Sequence, residues 1–171
     1  MSITLSATLP TAVLSNLMCL DPEKNIWTSA RTQLYVKAKI TKANGTALDP
    51  NTELGPVNLF LHSLFSQVDV SLNERLISPS TNTYPYRAMI ETLLNYGEDA
   101  KSSQLTMAIF YKDTPGKMDA VNPVAEDAGA NMGLKARYAF TKQSRMVDMI
   151  GPIHSDIFFQ DRLILNGVNL R

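Results

Sequence analysis

Between Thr32 and Lys42 the chain alternates without a break. Leu34, Val36, Ala38 and Ile40 fall on one side of an extended backbone, and Gln33, Tyr35, Lys37, Lys39 and Thr41 on the other. Such a stretch has one acceptable placement. A slip of a single residue would carry Lys37 and Lys39 into the interior, so this must be a half-buried strand of fixed register facing an apolar layer. Asn44-Gly45 and Asp49-Pro50 then end it in turn chemistry.

Other segments repeat the extended period. Ser2 to Leu9 alternates up to Pro10, and Arg145 to Ile150 alternates again. Val68, Val70 and Leu72 followed by Asn73-Glu74 and Arg75-Leu76-Ile77 predict a hairpin closed by Pro79, and Leu163-Ile164-Leu165 runs into an Asn166-Gly167 turn. Trp27 is an isolated aromatic expected to cap the core. Helical spacing predicts a short helix over Val57 to Phe65 behind Pro56. A better one runs from Pro85 to Tyr96, with Thr83 as N-cap, Gly97 as stop and an apolar stripe of Tyr86, Met89, Ile90, Leu93 and Leu94. A third is suggested over Ala100 to Tyr111, and Asp113 to Gly133 reads as a long loop. Amphipathic strands separated by turns, with two or three short helices in the connections, suit a mainly β fold in which two antiparallel sheets pack as a sandwich. Residues 1–31 read as a strand and irregular lead-in, and residues 32–171 as the body of the fold, together one domain.

The chemistry-bearing residues are few. Lys plus Arg equals Asp plus Glu at 16 each, so no net field draws nucleic acid or an anionic membrane, and partners must be recognised by shape. One cysteine, Cys19, excludes an internal disulfide framework and fits a reducing compartment, and no apolar run is long enough to span a bilayer. His62 lies on an apolar face and His154 in a turn segment, each better read as a structural histidine than as a ligand. The glycines form no phosphate-cradling array. No catalytic, cofactor-binding or metal-binding residue is therefore expected. Lys135, Arg137, Lys142 and Arg145 form a basic cluster interleaved with Tyr138 and Phe140; a solvated strand face is the plain reading, and anion or nucleic-acid contact the alternative.

Several longer words carry a resemblance. Thr32-Gln33-Leu34-Tyr35-Val36-Lys37-Ala38-Lys39-Ile40, Leu61-His62-Ser63-Leu64-Phe65-Ser66-Gln67-Val68-Asp69-Val70 and Asn82-Thr83-Tyr84-Pro85-Tyr86-Arg87 resemble the major capsid protein of Polinton/Maverick elements and adintoviruses. So do Phe110-Tyr111-Lys112-Asp113-Thr114, Gly133-Leu134-Lys135-Ala136-Arg137-Tyr138 and Ile153-His154-Ser155-Asp156-Ile157-Phe158, in the same order. The resemblance covers Thr32 to Arg171 and corresponds to part of the first jelly roll of a double jelly-roll protein. It implies a mainly β jelly-roll sandwich over residues 32–171, and a structural virion component, made inside the cell, that has no cofactor and assembles with copies of itself as a trimer or larger. Other capsid proteins are possible partners, and no membrane is. Tyr84, Tyr86, Arg87, Tyr96, Phe158 and Phe159 are the residues expected on the assembly surface.

Overall fold

The alternating stretch forms the middle of the main sheet. The computed structural model describes residues 32–78, 81–126, 129–159 and 168 in full, and strands within 11–28 and 164–165 as backbone. β4 (Gln33–Ala38) lies between β1 (Thr11–Ser15) and β7 (Val147–Pro152), antiparallel to both. Leu34, Val36 and Ala38 are buried while Gln33 and Lys37 face solvent, which is the register the pattern demanded. A second sheet joins β2 (Cys19–Asp21), β3 (Ile26–Thr28) and β8 (Ile164–Leu165) in the order β2-β3-β8. The lead-in thus contributes strands to both sheets. β5 (Ser71–Leu72) and β6 (Arg75–Leu76) make the predicted hairpin, with Asn73 and Glu74 at φ 46° and 69° as a two-residue turn requires.

These strands do not build a jelly-roll sandwich. Among the residues described in full, 34% are helical and 13% are strand, so the expectation of a mainly β fold is corrected to a mixed one. The largest departure is α4 (Met132–Thr141), which covers most of the segment read as a basic strand. Its buried positions are Gly133, Arg137 and Thr141, four residues apart. None of the three is a large apolar residue, so the helical period was invisible to a hydrophobicity pattern. Asn131 starts the helix by accepting hydrogen bonds from the Gly133 and Leu134 N–H groups.

The helix expected over Val57 to Phe65 shrinks to α1 (Phe60–Ser63). Leu59 sits in the left-handed region at φ 55°, donates its N–H to the Ile109 carbonyl, and so cannot join a helix. Asn58 fixes the same segment by accepting from the Tyr111 N–H, and Val57 is left 62% exposed instead of pinned to the core. The third predicted helix becomes α3 (Glu98–Ser102) followed by a 3₁₀ segment, Gln104–Ala108, which buries Leu105 and Ala108. Val36, Ile40, Leu61, Ile109, Phe110, Met149 and Ile153 make the shared core. The Ser2 to Leu9 alternation, Pro79, the Asn166-Gly167 turn and the side chain of Trp27 lie outside the described residues. Among the described residues no helix is long and apolar enough to cross a membrane.

Gly133 is where α4 touches the chain that precedes its loop. A Cβ there would stand 2.5 Å from the Lys112 carbonyl oxygen and 2.8 Å from that of Tyr111, both backbone atoms that cannot swing aside. Gly133→Ala is expected to destabilise the protein by about 1–3 kcal/mol, read as a lower urea midpoint at unchanged slope. An unchanged midpoint would contradict this packing.

Candidate functional site

α2 (Tyr84–Asn95) is the helix foreseen in the sequence, but it is seated the other way round. The side chains it buries are Tyr84, Ala88 and Thr92. Most of its apolar stripe points to solvent, with Tyr86 72%, Ile90 56%, Leu93 51% and Leu94 78% exposed, while Met89 is half-buried against the core. Positions 86, 90 and 94 stack along one line on the helix, so this is a continuous apolar ridge rather than scattered residues.

Polar chemistry holds the helix in this orientation. The Tyr84 hydroxyl lies 3.0 Å from His62 Nδ1, and the His154 backbone N–H donates to the Tyr84 oxygen at 3.4 Å. With that oxygen accepting from His154, the phenol proton is directed to the His62 nitrogen. Glu91, one turn above Arg87, accepts at 2.7 Å from His154 Nδ1 and at 2.8 Å from Arg87 Nε. Arg87 reaches on to Asp156 in the 3₁₀ segment Asp156–Phe158, raising the guanidinium further above its ordinary value. The His62 and His154 rings meet nearly at right angles, with centroids 4.7 Å apart.

Burial sets the charge state of this cluster. It pulls the His62 imidazole down to about 3, helped by its proximity to His154. The His154 ring is lowered by burial too, with Glu91 opposing, and the Tyr84 phenol is pushed up to about 12 by desolvation. Both rings are therefore neutral at pH 7. His154 donates through Nδ1, and its Nε2 is buried with no hydrogen-bond partner among the described residues. A His–carboxylate pair can in principle move protons, but a general base must reach its substrate, and His154 is only 2% exposed. An adjoining cavity of about 60 Å³, lined in part by Gln67, Asn82, Arg87 and His154, has room for water-sized molecules only. The arrangement anchors a helix. Among the described residues no three His, Cys, Asp or Glu side chains gather as metal ligands would.

The residues picked from sequence separate into an inner and an outer set. Tyr84 and Phe158 are buried, Arg87 and Tyr96 partly so, and only Tyr86 and Phe159 are open to solvent. The Phe159 ring stands 5.7 Å from that of His154. Ile90, Leu93 and Leu94 were not picked for the surface because apolar residues at helical spacing ordinarily face inward. The four cations chosen as an anion contact do not share a face. Arg137 is 4% exposed, donating to the carbonyls of Pro56 and Tyr111 at 3.0 and 2.7 Å and to Asp113 at 2.9 Å, which corrects its assignment as an anion contact. Lys135 lies 3.6 Å from Glu126, while Lys142 and Arg145 are exposed at and just after the 3₁₀ segment Lys142–Ser144.

No family model and no solved structure matches this chain. It is similar to a curated protein of Caenorhabditis elegans named "Uncharacterized protein F54H12.2", with 32% identity over 149 residues. The match takes in 82% of this chain and 32% of the worm protein, so the chain spans about a third of that relative's length.

Proposed function

We propose that the chain is a structural, capsid-type protein that works by associating with copies of itself and catalyses no reaction. The observation that carries this reading is the outward ridge of α2: Tyr86, Ile90 and Leu94 in one line with Leu93 beside it, each more than half exposed. Contiguous exposed apolar surface of this kind marks a site of interaction. The capsid-protein words in the sequence support the same reading, because a shell component is built from faces that meet its own kind, and they would locate the chain in a virion. Nucleic-acid contact through Lys135, Arg137, Lys142 and Arg145 has less to rest on, since Arg137 is an interior residue tied to Asp113.

Leu94→Glu tests the reading. The side chain is 78% exposed, so the fold should shift by no more than about 0.5 kcal/mol, with an unaltered circular dichroism spectrum. Self-association should weaken roughly thirtyfold or more, as when a central interface residue is lost. Light scattering behind size exclusion, across a concentration series, reads both species. A wild-type chain that stays monomeric at every concentration would defeat the proposal.

A further inference from the structure

α2 is held to the body of the fold by hydrogen bonds more than by burial. Of its 12 residues only Tyr84, Ala88 and Thr92 are buried, and the Thr92 hydroxyl has no partner among the described residues. Both polar anchors of its inner face end on imidazoles, Tyr84 on His62 and Glu91 on His154. The two rings are buried, with centroids 4.7 Å apart. A proton added to either is poorly received. On His62 it must land on Nδ1, which accepts from the Tyr84 hydroxyl, and the Tyr84 oxygen already takes the His154 backbone N–H, so hydrogens would be set against one another. On His154 the vacant nitrogen is Nε2, which is enclosed and has no acceptor among the described residues. Protonating both would place two like charges edge to face.

Among the described residues, the titratable and charged groups around the rings come mainly from α2. These are Tyr84, Arg87 and Glu91, with Tyr96 just past the helix end and close enough to Glu91 to feel its charge. The 3₁₀ segment after His154 adds Asp156, which is engaged with Arg87. α1 contributes His62 itself, and β7 meets that ring with Gly151. The main sheet is built differently: β4 and β7 turn Leu34, Val36, Ala38, Val147, Met149 and Gly151 inward, none of which titrates. We propose that the two histidines form a proton-operated latch: on acidification α2 lets go of the body as a unit while the β1-β4-β7 sheet stays closed. This holds whether or not copies of the chain associate. Its sign follows from the rings, both lowered by burial, His62 from 6.5 to about 3. The latch is therefore at full strength above pH 6.5 and weakens as pH falls toward 3. Each ring that takes up a proton on release raises the open population about tenfold per pH unit. An element with little buried apolar surface is the one that opens first.

Amide hydrogen exchange on the full-length chain reports the opening of each segment, read by mass spectrometry from about pH 7.5 to about pH 5 and corrected for the intrinsic rate at each pH. The chain is kept dilute enough to be monomeric. Below pH 6.5 the open population of α2 should rise by about tenfold to a hundredfold per pH unit, the range from one proton to two, while the amides of β4 and β7 change by less than about threefold. His62→Gln should remove one proton from that slope, about tenfold per pH unit, whatever it does to the level of opening at neutral pH. Tyr84→Phe loosens the same anchor without removing a group that titrates in this range, so it should raise the level and keep the slope. Sheet and helix opening together would show that acid acts on the whole fold and would overturn the latch. So would a helix whose opening ignores pH, or a His62→Gln chain with the wild-type slope.

Discussion

Arg137→Ala should remove about 3–5 kcal/mol of folding stability, a large share of the roughly 5–15 kcal/mol that holds a domain of this size together. The guanidinium is almost wholly enclosed and serves three acceptors at once: the Pro56 carbonyl, the Tyr111 carbonyl and the Asp113 carboxylate. Through them α4 is tied both to the segment that enters α1 and to the start of the long loop. Truncation takes the guanidinium away from two carbonyls and leaves a carboxylate that, among the described residues, the Asn131 side chain still contacts. Arg137→Lys should recover less than half of the loss, since one ammonium on a flexible stem cannot reproduce the planar fork. Urea unfolding measures all three proteins; an alanine variant within about 0.5 kcal/mol of the wild type would mean that the pair is not an anchor.

Acid should produce the other large effect, through the histidines under α2. His62 titrates near 3 in the folded protein and near 6.5 once unfolded, so between these values the unfolded chain binds the extra proton. Stability is therefore present in full above pH 6.5 and is lost as pH falls toward 3. His62 alone accounts for about 2–3 kcal/mol by pH 4.5, and His154, lowered for the same reason, adds in the same direction. Among the described residues Tyr84, Arg87 and Glu91 of α2 face the two rings, Asp156 is engaged with Arg87, and Glu91 is the carboxylate in direct contact with His154. Chemical denaturation of the wild type and of His62→Gln at pH 7.5 and 4.5 separates this contribution from the general loss of ion pairs. The wild type should lose more stability than the variant across that interval. Equal losses would remove His62 as the cause.

How much of this could be read from the residues depends on what each element buries. β4 was legible because it buries aliphatic side chains on one face and presents lysines on the other, a pattern with one solution. The β5–β6 turn was legible because Asn73 is among the residues that tolerate left-handed backbone. α4 was not, since Gly133, Arg137 and Thr141 carry no apolar period, and Arg137 looks like a surface cation until its acceptors, up to 81 residues away, are in place. For α2 the helix was evident and its orientation was not. Hydrophobic periodicity finds a stripe but assumes that it faces inward, and here the inward face is chosen by Tyr84 and Glu91 reaching His62 and His154, contacts that no local spacing announces. The jelly roll was implied by the resemblance and suited by the extended segments, and the expectation failed where much of the chain, α4 included, proved to be helix.

The seating of α2 leaves the free chain no means of hiding its ridge. Rolling the helix about its axis to bring Ile90 and Leu94 inside would strand His154 Nδ1 and the Tyr84 hydroxyl without the partners they hold now. The lone protomer must then keep an oily strip turned to water at any dilution. If copies gather as proposed, that tendency is built into the interior wiring, and concentration, rather than a change of shape, would bring them together.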